Sequence, residues 1–141
     1  MNILAQRHCA PYGGEAAVAS TELIGLHRWV PDWHVLTCEG ISTLERDFAF
    51  ANFAEALAFT DRIGALAKAE LHFPEIKTQW GKVRVCWWTP ALKGLHRNDF
   101  IMAAKTDALY AETASKSGQA PTPIAAGEAK REAPGDTTTR A

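Results

Sequence analysis

Residues 67–109 read AKAELHFPEIKTQWGKVRVCWWTPALKGLHRNDFIMAAKTDAL, and the order of signals in this stretch decides the fold. It opens on the end of an apolar helical pattern that Pro74 must stop. A proline has no amide to donate, and it pushes the residue before it away from helical geometry. Residues 75–80 and 82–88 then read as two strands joined near Gly81. In the second of them Val83, Val85 and Trp87 alternate with Arg84, Cys86 and Trp88. A loop through Pro90 and Gly94 leads to a predicted helix over about residues 97–112.

Upstream, the longest helix is predicted over about residues 53–71, with Asn52 as its N-cap. Phe53, Leu57, Thr60 or Ile63, and Ala67 fall on one stripe. Before it, Leu44, Arg46, Phe48 and Phe50 share one face of a strand, opposite Glu45 and Asp47. Glu39-Gly40 turns the chain, and residues 32–38 form the preceding strand, with Trp33, Val35 and Thr37 on one side. A short helix, TELIGLHRW, begins at Ser20 or Thr21 and stops before Pro31. The order α-β-β-α-β-β-α predicts an α+β domain: a four-stranded antiparallel sheet with three helices on one face.

That domain is expected over residues 20–112. Residues 1–19, with Pro11 and Gly13-Gly14 and no sustained period, are expected to be a flexible leader. Residues 113–141 contain one large apolar residue, Ile124, and three prolines. Such a segment buries too little surface to offset its ordering entropy, so a disordered polar tail is expected.

A chain of 141 residues with 47% apolar and 22% charged residues suits one globular domain. A formal net charge of −1 gives no reason to expect nucleic acid or an anionic membrane as partner. No apolar run approaches the ~20 residues of a membrane-spanning helix, and the first twenty residues do not read as a secretory signal. Cys9, Cys38 and Cys86 are odd in number and form no CxxC pair, which fits free thiols in a reducing cytoplasm.

Few residues indicate chemistry unaided. His8, His27, His34, His72 and His96 have neither HxxxH nor HExxH spacing, so no metal site is expected. His72, at a helix end before Phe-Pro, fits a capping or packing role as well as an acid–base one. Trp33, Trp80, Trp87 and Trp88 fit a core or interface better than a wall for a flat ligand.

The order of elements and the 67–109 stretch resemble the pterin-4a-carbinolamine dehydratase family. Its signature is an acidic residue, three others, then His-His-Pro at a helix end; a strand pair, Thr-His, a Gly-Leu turn and an Asp opening the last helix follow. Here Pro74, Gly94-Leu95 and Asp99 match, and GLHRNDFIMAAKTD is especially close to bacterial members. Trp33 matches a tryptophan ahead of the first strand pair. The resemblance implies chemistry in which a 4a-hydroxyl leaves a carbinolamine, with one group protonating the oxygen and another taking the N5 proton. Imidazoles suit both tasks. Of the three histidines and one carboxylate that the family places around the pterin, this chain matches only His72. Phe73 and Pro90 stand at the other two histidine positions and Lys68 at the carboxylate.

The resemblance therefore implies a vestigial pocket of His72, Phe73, Pro90, Lys68, Asp99 and Trp33, with no catalytic residue and no cofactor expected. Relatives with similarly lost histidines assist Rubisco assembly in α-carboxysomes. The leading expectation is a catalytically inactive, oligomeric protein of that kind, binding the Rubisco large subunit or an assembly intermediate in a bacterial cytoplasm. Arg84, Trp88 and Lys93 are its candidate protein interface, and a solvated surface is the equal alternative for Arg84 and Lys93. The alternative function is an active 4a-hydroxytetrahydrobiopterin dehydratase with a divergent site, in which Glu70 or Glu75 supplies the missing acid. A protein-binding co-regulator is a third reading.

Overall fold

The computed structural model describes residues 2–11, 13–14 and 16–117, with side chains through residue 113. The elements run α1 (Ser20–His27), β1 (His34–Cys38), β2 (Ile41–Ala49), α2 (Phe53–Glu70), β3 (Glu75–Gln79), β4 (Lys82–Trp87) and α3 (Arg97–Ser117). The strands form one antiparallel sheet in the order β1-β2-β4-β3, which is the predicted fold class.

Each hairpin is set by its turn. Glu39 (φ 53°) and Gly40 (φ 80°) both take left-handed geometry, which matches the twist of the flanking strands and joins β1 to β2. Gly81 (φ 75°) does the same between β3 and β4, and its carbonyl accepts the Phe50 amide at 2.8 Å.

Alternation then separates the two faces of the sheet. Leu44 and Phe48 of β2 and Val83, Val85 and Trp87 of β4 are buried under α2 and α3. Phe48 sits at the centre of this layer, with ring centroids 5.0 Å from Phe59, 4.8 Å from Tyr110 and 5.8 Å from Trp33. Arg46, on the same side of β2, lays its guanidinium over Phe48 and reaches Asp107 at 2.7 Å. Asp107 also accepts the Trp33 indole N–H at 2.8 Å.

Asn52 caps α2 as predicted, its Oδ1 accepting the Glu55 amide at 2.9 Å. The stripe that α2 buries matches the predicted one at Ile63 and Ala67 but not at its start. Ala56, Phe59, Ile63 and Ala67 face the core, whereas Phe53 and Leu57 are exposed. The helix is rotated so that Phe59 meets Phe48 and Phe50, and the larger aromatic contact decides the phase.

Part of the expected leader 1–19 packs on the domain. Ile3–Gln6 forms a 3₁₀ turn capped by Asn2, Leu4 is buried, and Lys105 donates to the Ala5 carbonyl at 3.0 Å. Helix α3 extends to Ser117, beyond the predicted end near 112. The remainder of the expected tail lies outside the described residues. Among the described residues no helix is long and apolar enough to cross a membrane.

Candidate functional site

The site is assembled where the end of α2 meets the start of α3. Leu71, in left-handed geometry (φ 57°), ends α2, and the His72 amide closes the last turn by donating to the Ala67 carbonyl at 3.1 Å. This turn sends the His72 side chain inward. Its ring stacks on Trp87, with centroids 5.8 Å apart and planes 9° apart, and its Nε2 meets Asp99 Oδ1 at 2.6 Å.

Asp99 is completely buried and accepts hydrogen bonds on both oxygens. Oδ2 takes the Thr89 hydroxyl and the His96 amide, each at 2.9 Å. The His96 contact explains part of the local sequence. His96 precedes the first turn of α3, and its Nδ1 accepts the Asn98 amide at 3.0 Å while Asp99 reaches back to the His96 amide. The pair forms a reciprocal cap with histidine in the place usually taken by serine or threonine. A negative group also suits the positive end of the helix dipole. Thr89 is set by its exchange of backbone hydrogen bonds with Gly94.

Capping accounts for one oxygen of Asp99, and the other is committed to His72. The carboxylate accepts the Nε2 proton, so Nδ1 is the basic nitrogen. An imidazole held flat on Trp87 with one fixed tautomer is prepared to give or take a proton at Nδ1.

The other residues assigned to the pocket lie in different settings. Phe73 points outward with 60% of its surface exposed, and Pro90 opens an exposed 3₁₀ turn, Pro90–Leu92. Lys68 is exposed in the last turn of α2, where a cation complements the helix dipole. Trp33 is wholly buried and its indole contacts Phe48 and Asp107, so it belongs to the core layer. Of the group, the structure joins His72 directly to Asp99.

Neither substitute acid lies beside the imidazole. Glu70 carries the contacts of the leader: His8 Nδ1 at 2.9 Å, the Cys9 amide at 2.9 Å and Lys105 at 3.8 Å. Burial pushes its carboxyl up, yet the Cys9 amide, His8 and Lys105 together hold it below the ordinary glutamate value. Glu75 is exposed on β3, paired in register with Cys86. Burial, aided by Glu70 and Asp99, pushes the Cys9 thiol up to about 12, which makes it a poor nucleophile.

On the opposite face of the sheet, Arg84 forms a two-pronged pair with Asp47 at 2.8 and 3.2 Å. That side-chain hydrogen bond is the main cause holding the Asp47 carboxyl below its ordinary range. Trp88 is half-buried against the core, and Lys93 is exposed in left-handed geometry (φ 56°). Sequence reasoning missed Thr89, His96 and Asn98 as parts of the site. The signal for the cap was the spacing from His96 to Asp99, the interval of a capping box.

Comparison with known proteins places the chain in a family. The family model described as "Pterin 4 alpha carbinolamine dehydratase" matches residues 16–109. A Syntrophotalea carbinolica protein named "Putative pterin-4-alpha-carbinolamine dehydratase" is 55% identical over 96 residues, which is 68% of this chain and 86% of that one. The crystal structure of a transcriptional coactivator/pterin dehydratase from Brucella melitensis superposes with a TM-score of 0.61 at 25% identity, over 66% of this chain and 97% of the other. A pterin dehydratase-like Rubisco assembly factor of the α-carboxysome superposes more loosely, with a TM-score of 0.48 at 25% identity over 55% of this chain and 88% of the other. The chain belongs to the pterin-4a-carbinolamine dehydratase family.

Proposed function

We infer that the chain binds a pterin 4a-carbinolamine and dehydrates it slowly, with His72 as the single proton-transferring side chain. The observation that carries this reading is Asp99, a completely buried carboxylate whose Oδ1 is committed to His72. Burying a carboxylate is costly unless it is well partnered, and capping α3 engages only one of its oxygens. The full arrangement is the one that orients an imidazole for acid–base work. The 55% identical relative, itself named for this activity, supports the same reading.

The chemistry requires the bond between C4a and the hydroxyl oxygen to break while a C4a–N5 double bond forms. In its protonated form His72 gives the Nδ1 proton to the departing hydroxyl, which leaves as water. The neutral imidazole then takes the proton from N5, and the side chain returns to its starting state. One group performs in sequence what the family divides among several. Missing general acid–base groups typically cost 10² to 10⁴ in rate each, though such losses do not simply add. Turnover is therefore slow. The test is pre-formed 4a-hydroxytetrahydropterin incubated with the pure protein. A rate above the spontaneous one supports the reading, and the spontaneous rate alone removes it.

A second reading is a non-catalytic protein-binding role in Rubisco assembly. It is favoured by Phe73 at 60% and Leu71 at 78% exposure, an apolar pair at the site where a catalytic member would present a second imidazole. On that reading Arg84, Trp88 and Lys93 are a separate candidate contact, and the partner is the Rubisco large subunit or an assembly intermediate in a carboxysome-forming bacterium. Co-expression with Rubisco subunits tests it. A higher yield of soluble holoenzyme supports it, and an unchanged yield counts against it.

A further inference from the structure

Two side chains that hold the leader lie within two residues of the two that form the site. Glu70 lies two residues before His72, and Asn98 directly precedes Asp99. The Cys9 amide donates to Glu70 Oε1 at 2.9 Å, and the Ala10 amide donates to Asn98 Oδ1 at 3.0 Å. Asn98 Nδ2 returns a hydrogen bond to the Ala10 carbonyl at 2.7 Å. Two consecutive leader residues thus bridge the end of α2 and the start of α3, across the junction that His72 and Asp99 span from within.

Glu70 is otherwise hard to explain. It is the last residue of α2, where a negative charge opposes the helix dipole, and only 9% of its side chain is exposed. Desolvating a carboxylate at that end of a helix is unfavourable unless it is paired and hydrogen-bonded. Those partners are the Cys9 amide, His8 and Lys105, and Lys105 also donates to the Ala5 carbonyl.

We propose that residues 8–10 form a positioning strap: through Glu70 and Asn98 it fixes the separation of the two helix ends at which His72 and Asp99 meet. Glu70 and Asn98 are positioning residues in this account and touch no substrate. The inference rests on the His72 site proposed above, and it names what holds that site together.

The test uses the full chain carrying Glu70→Gln and Ala10→Pro together. The first change removes the ion pairs, and the second removes the amide that Asn98 accepts, at an exposed residue. Cys9 alkylation by iodoacetamide, read by peptide mass spectrometry and expressed per thiolate from its pH dependence, reports whether the strap is released, because Glu70→Gln also lowers the Cys9 thiol by removing a neighbouring negative charge. The NMR signals of the His72 ring report whether the site responds. We expect alkylation of Cys9 at least tenfold faster, together with at least tenfold faster solvent exchange of the His72 Nε2 proton. Glu70→Gln alone, which keeps an oxygen for the Cys9 amide, gives smaller changes in the same direction. Faster alkylation with unchanged His72 signals overturns the proposal, as does unchanged alkylation. Absence of carbinolamine turnover in the unmodified protein would instead count against the proposed function and leave the strap result standing.

Discussion

His72 Nε2 meets Asp99 Oδ1 at 2.6 Å, while the other oxygen of Asp99 holds the Thr89 hydroxyl and the first turn of α3. A single buried carboxylate therefore couples the orientation of an imidazole to the start of a helix. Asp99→Asn keeps the shape but places an NH₂ among groups that donate. We expect a loss of about 1–3 kcal/mol of stability in urea unfolding, the usual cost of a mismatched buried hydrogen bond. Turnover should fall at least tenfold as the fixed tautomer is lost. Unchanged turnover would show that the orientation of His72 is irrelevant.

Restoring the family's groups should restore rate. Phe73→His, Pro90→His and Lys68→Glu change residues that are all exposed, so the fold should tolerate them. If the pocket still holds a pterin, the triple variant should dehydrate the carbinolamine about 10² or more times faster than the parent, as expected for added general acid–base groups. No gain in the same assay would mean that these three positions do not reach the bound carbinolamine.

The core gives a prediction independent of the site. Phe48 contacts Phe59, Tyr110, Trp33 and the Arg46 guanidinium. Phe48→Ala should cost about 3–5 kcal/mol, the range for truncating a buried aromatic, measured by chemical denaturation.

Acid sensitivity should separate groups of opposite sign. Glu70 and Asp47 are held below their ordinary values of 4.5 and 3.8, so each contributes stability that is present above those values. That contribution is lost as pH falls from there toward the lower folded values. Asp107 is raised, chiefly by burial, so its contribution runs the other way: it favours the folded state at low pH and weakens as pH rises above 3.8. Denaturant midpoints between pH 6 and 3 should fall less steeply in Glu70→Gln than in the parent, and more steeply in Asp107→Asn. The reverse ordering would show that these assignments are wrong.

Much of the fold was legible because its signals are local. Pro74, Gly81 and Glu39-Gly40 each fix a turn by their own geometry, and alternation in β2 and β4 marks the buried face without knowledge of what covers it. The phase of α2 was not legible. Phe53 and Leu57 form as good a stripe in sequence as Ala56, Phe59 and Ile63, and only the aromatic contacts from β2 choose between them. Within the site, His72 and Asp99 were recognised from the family pattern, but their contact joins residues 27 positions apart. The strap was invisible for the same reason: His8 and Glu70 are 62 positions apart. One clue was present in Glu70, an acid at the C-terminal end of a helix.

The most direct measurement compares 4a-carbinolamine dehydration by the unmodified protein and by His72→Ala, both at neutral pH and corrected for the spontaneous reaction. The expected result is a slow rate in the unmodified protein that drops to the spontaneous rate in His72→Ala. Equal rates in the two proteins would contradict it, whether both are fast or both match the background.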